Sequence, residues 1–92
     1  MTIEIVDLGD WGAATLVSEY DPHGDTIRIN ARAIAVVRGA LGDAEARCFT
    51  AVAIAHERFH RAYPDASEVQ ALAAAREATG VDPARFEALL AR

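Results

Sequence analysis

The chain has 92 residues, one cysteine and a net charge of −5. That length makes one domain with a modest core, and a lone cysteine excludes an intrachain disulfide. The acidic balance argues against a nucleic-acid surface, and no apolar run is long enough to span a bilayer. No basic segment leading into an apolar one opens the chain, so the expected setting is cytoplasmic, with neither nucleic acid nor membrane as a partner.

Thr2 to Asp7 alternates weakly and reads as a short strand, with Ile3 and Ile5 on one side and Glu4 and Val6 on the other. Gly9, Asp10 and Gly12 break it. Trp11, the only tryptophan, is expected to cover one end of the core. Ala14 to Tyr20 reads as a second strand, and Asp21-Pro22-His23-Gly24-Asp25 is a strong turn signal. Thr26 to Ile29 returns, with Ile27 and Ile29 facing inward. The N-terminal part is therefore expected to be a β-hairpin or a three-stranded antiparallel sheet.

Helices follow. Asn30 suits an N-cap for a helix from Ala31 to about Leu41, with Ile34, Val37 and Leu41 at helical spacing. Gly42 is expected to close it and Asp43 to cap the next helix. That helix runs from Ala44 to Tyr63, where Pro64 stops it. Phe49, Val52, Ala53, His56, Phe59, His60 and Tyr63 share one broad face of it. Ser67 to Thr79 is a third helix, ended by Gly80. In the fourth, Asp82 caps, Pro83 takes the first position, and Val81 and Phe86 form a hydrophobic staple. The expected fold is α+β, a small sheet followed by four helices. No linker, repeat or internal boundary divides the chain.

The central helix carries His56-Glu57-Arg58-Phe59-His60. Residues four apart on a helix share a face, so the two imidazoles can reach one metal ion. Glu57 projects elsewhere, toward the open side of such an ion, where a carboxylate serves as general base. HExxH on a helix thus encodes two zinc ligands and a base.

A catalytic zinc site usually needs a third protein ligand. The short break at Pro64 makes the next helix an antiparallel neighbour, and Glu68 in its first turn falls beside His60. Glu77 stands about 13 Å further along that helix and overshoots. Glu68 is therefore the better candidate. Two capping boxes compete for it: Asp65-Ala66-Ser67-Glu68 would occupy its carboxylate, whereas Ser67-Glu68-Val69-Gln70 would leave it free.

The run His56-Glu57-x-x-His60, the break, and Glu68-Val69-Gln70-Ala71 with its alanine-rich continuation resemble the gluzincin type of zincin metallopeptidase. The nearest likeness is to ImmA/IrrE-type peptidases and very small single-domain zincins. Gln70-Ala71 stands where Glu-Ala stands in the former, and a strand like Ile27-Arg28-Ile29-Asn30 precedes a helix there too. The resemblance implies a single zincin-like domain over residues 1–92. It implies Zn²⁺ on His56, His60 and Glu68, and Glu57 as the base. Arg58, Phe59 and Arg61 depart from the family pattern.

The function expected is peptide-bond hydrolysis, in which zinc acidifies a bound water and Glu57 moves its proton. The partner is then a peptide or protein substrate, which an edge strand of the hairpin can align. So small a chain has little room for a substrate subdomain, which points to a homodimer or a protein partner. Tyr63 is a weak candidate for oxyanion stabilisation. His23 reads as a solvated turn residue and Cys48 as a small buried one. The alternative is a non-catalytic zincin-like or helical interaction domain whose motif is vestigial or holds a structural metal.

Overall fold

The burial of Ile27 and Ile29, both fully covered, places β5 (Thr26–Asn30) at the middle of the sheet. The computed structural model describes residues 1–11, 14–15 and 17–90, with backbone alone for Asp10, Trp11, Ala14 and Thr15. The expected role of the Trp11 side chain lies outside the described residues. In chain order come β1 (Thr2–Val6), β2 (Asp10–Trp11), β3 (Ala14–Thr15), β4 (Ser18–Asp21), β5, α1 (Ala31–Leu41), α2 (Asp43–Ala62), α3 (Glu68–Thr79) and α4 (Ala84–Leu90). This is the expected α+β order of sheet and then four helices.

The sheet order is β1-β5-β4. β4 and β5 form the expected antiparallel hairpin, with Ser18 opposite Ile29 and Tyr20 opposite Ile27. β1 instead pairs parallel with β5, Ile3 beside Ile27 and Ile5 beside Ile29. The sheet is therefore mixed, and the all-antiparallel expectation is corrected. The hairpin occupies one edge of β5. The stretch between β1 and β5 is long enough to act as the crossover that a parallel neighbour needs at the other edge. The single strand expected over Ala14–Tyr20 is divided into β3, which pairs with β2, and β4.

Ile3 and Ile5 share the inward face of Ile27 and Ile29, yet they are 39% and 58% exposed. The long helix α2 packs on β4 and β5, so this edge lies beyond its cover. The opposite face carries Arg28 within ion-pair range of Glu4, Asp21 and Glu19.

Asn30 is fully buried and fully used. Its Oδ1 accepts from the backbone N–H of Arg32, capping α1, and from that of Leu8, while its Nδ2 donates to the Gly9 carbonyl. One side chain thus starts the first helix and pins the loop leaving β1. Ala33, Ile34 and Val37 bury one face of α1, but Leu41, expected on the same row, is exposed in its last turn.

Gly42, at φ 95°, donates to the Arg38 carbonyl and accepts from Ala46 N, closing α1 and opening α2. Asp43 is not the cap that was expected but the first residue of α2. A positive φ of this kind carries no steric cost for glycine. At that position the Asp43 charge still faces the helix dipole favourably and pairs with Arg38 at 3.0 Å.

α2 is the hub, packed against α1, α3, β4 and β5. Its buried residues are Ala46, Phe49, Val52, Ala53 and Glu57. The expected broad face is thus shortened, for Phe59 is half-buried and Tyr63 is 60% exposed beyond the end of the core. Phe49 meets Phe86 of α4 edge to face, with ring centres 5.3 Å apart. Asp82 Oδ1 accepts from Ala84 N at the start of α4, as a cap should, and Val81 packs against the core to which Phe86 and Leu90 belong. Among the described residues, no helix is long and apolar enough to cross a membrane.

Candidate metal centre

Helical spacing on α2 brings the imidazoles of His56 and His60 together, with ring centres 4.9 Å apart and Nε2 atoms 3.2 Å apart. Tyr63 ends the helix before Pro64, and the chain re-enters as α3 at Glu68. The capping box there is the Ser67 frame. Gln70 N donates to Ser67 Oγ at 3.1 Å, and Ser67 N donates to Gln70 Oε1 at 2.9 Å. The helix start is satisfied without Glu68, whose carboxylate is left to turn toward α2. Its Oε2 lies 3.1 Å from His56 Nε2 and its Oε1 2.6 Å from His60 Nε2.

These three donors converge as a metal would require. Zinc bound at about 2.0–2.1 Å in tetrahedral geometry separates its ligand atoms by about 3.3 Å. The 3.1 Å from His56 Nε2 to Glu68 Oε2 and the 3.2 Å between the two Nε2 atoms are close to that edge, whereas the 2.6 Å from His60 Nε2 runs to the other carboxylate oxygen, Oε1, and is short of it.

Each imidazole can donate through Nε2 to its own oxygen of Glu68, and a metal ion taken up by the same three groups would replace both hydrogen bonds. Two neutral imidazoles and one carboxylate also form a donor set that suits zinc.

Glu57 stands apart from the converging donors. Its side chain is buried, Oε2 accepts from Ser18 Oγ of β4 at 2.8 Å, and the same oxygen lies 3.4 Å from His56 Nδ1. Ser18 was not singled out in the sequence. Its only signal is period-two alternation with Tyr20, which places both on the helix-facing side opposite Ile29 and Ile27.

The other candidates fall away from the cluster. Glu77 lies further along α3 and is not among the converging donors. Tyr63 is exposed, with its ring against Phe59 at 4.8 Å. His23 is exposed in its turn, and Cys48 is half-buried against the core. Arg61, next to His60, turns away and pairs with Asp25 through two contacts of 2.7 and 3.2 Å. Tyr20 donates to the same carboxylate at 2.7 Å. Arg61 first, then Tyr20, hold the Asp25 carboxyl well below the usual carboxylate range. In return, Asp25 raises the pKa of both Arg61 and Tyr20. This network ties the end of α2 to the β4–β5 turn and keeps the guanidinium charge engaged with Asp25.

Beside His56 and Glu68 opens a cleft of about 300 Å³ between β4, α2, α3 and α4. No protein-family model, curated protein or solved structure matches the chain.

Proposed function

We propose that the chain is a zinc-dependent peptide-bond hydrolase, a single zincin-like domain of the gluzincin type. His56, His60 and Glu68 would hold the ion. The observation that carries this reading is the convergence of those three donors from two successive helices, their ligand atoms within 4.8 Å of one another. Zinc, when bound, supplies Lewis acidity to a carbonyl and lowers the pKa of a coordinated water.

The chain's residues do the rest. Glu57 is the general base. Ser18 occupies its Oε2, so Oε1 is the atom that takes up the proton and returns it to the leaving amine. β4 is an outer strand of the sheet, and its edge aligns an extended peptide beside His56. The proposed setting is cytoplasmic, with a homodimer or protein partner completing the substrate surface.

The Ser18–Glu57 bond favours a second reading. A buried carboxylate already engaged on the Nδ1 side of His56 suits a metal-stabilised, non-catalytic interaction domain equally well. Glu57→Gln separates the two. The hydrolase reading expects one zinc per chain, measured on tag-free protein, with peptide cleavage present in the wild type and lost in the variant. Zinc bound without cleavage across a peptide library would favour the interaction domain.

A further inference from the structure

We propose that the cleft beside the metal donors takes one large apolar side chain of an extended peptide, of the Leu, Met or Phe class, and that Leu72 sets its depth. The metal half of this proposal rests on the function proposed above; the cleft half rests on its own lining.

Phe49, Val52, Phe86 and Leu90, each less than a tenth exposed, form the floor. Half-buried Val17, just before β4, and Leu72, on α3, line it as well. Polar groups gather elsewhere in the lining: Ser18, His56, Glu68 and Glu87. The volume, about 300 Å³, is at the small end for ligand pockets.

The chemistry selects the occupant. An apolar floor rewards an apolar group, and donors converging beside it require a polar group on the same molecule. A peptide offers both at the needed separation, a side chain and the carbonyl next to it. Glu68 and Glu87 repel an acidic side chain. Leu72 stands one turn after Glu68 on the same face of α3, so its size governs how far a side chain enters once its carbonyl lies at the donors.

The test uses zinc-loaded full chain and three probes: acetohydroxamate, butyrohydroxamate and hexanohydroxamate. Titration calorimetry should show affinity rising about fourfold per added methylene. Leu72→Trp, or Leu72→Phe if the larger residue prevents folding, should flatten the series while zinc content stays at one per chain. A flat series in the wild type, or an undiminished slope in the filled variant, would overturn the proposal. If the chain holds no zinc, the metal reading fails separately. The metal-free cleft is then tested by the Leu72 and Leu90 methyl resonances. Hexanohydroxamate shifting both sustains the apolar site, and no shift refutes it.

Discussion

Removing one hydroxyl should destabilise the whole domain. Ser18 Oγ donates to a Glu57 carboxylate that is 5% exposed, across a contact linking β4 to the middle of α2. A hydrogen bond to a charged group contributes about 1.5–3 kcal/mol, and a buried acceptor that loses its donor also keeps its desolvation cost. Ser18→Ala should therefore lose about 2 kcal/mol, which for a domain of this length is a fall in Tm of about 8–16 °C. The assay is chelator-treated protein followed by urea and thermal unfolding, so that metal binding does not enter. Ser18→Thr keeps the donor and should recover most of the loss. A double-mutant cycle with Glu57→Ala isolates the pair, with an expected coupling of about 1 kcal/mol or more. Stability of Ser18→Ala within about 0.5 kcal/mol of wild type, the range of ordinary surface substitutions, would refute the claim that this bond holds Glu57.

Three further outcomes follow from the same contacts. Zinc at a hundred times its Kd should stabilise the wild type by about 2.7 kcal/mol, and His60→Ala should show no such zinc-dependent rise in Tm. Asp25 has a depressed pKa in the folded chain, so its contribution is present above the unfolded value near pH 4 and is lost as pH falls toward the folded one. Asp25→Asn, tolerated at φ 47°, should therefore unfold in metal-free acid with a shallower pH dependence than wild type. Phe86→Ala removes the ring that meets Phe49 and should cost about 3–5 kcal/mol, read by urea denaturation.

The readable features were local ones. Four residues on one helix fix the spacing of His56 and His60, and Pro64 fixes where the helix stops. Ser67 and Gln70 are three apart, so the frame that frees Glu68 was visible as one of two alternatives. Asn30 was likewise legible as a cap. Its second role, holding Leu8 and Gly9, was not, because that contact joins residues more than twenty positions apart. The parallel pairing of β1 was hidden for the same reason. Strand direction is set by the path of the chain between β1 and β5, and no nearby residue pattern records that. Gly42 displaced Asp43 as the cap because it is the single residue between α1 and α2 and both ends the one and starts the other. Ser18 lay within reach of alternation on β4, but its partner is on another element thirty-nine positions away.

X-ray absorption at the zinc edge of tag-free, zinc-loaded protein bears most directly on the donor set. Two imidazole nitrogens and a carboxylate oxygen should appear at about 2.0–2.2 Å. One imidazole should disappear in His60→Ala, and the carboxylate in Glu68→Gln. Failure to bind zinc at all, or a coordination shell that neither substitution alters, would contradict the assignment of the metal to His56, His60 and Glu68.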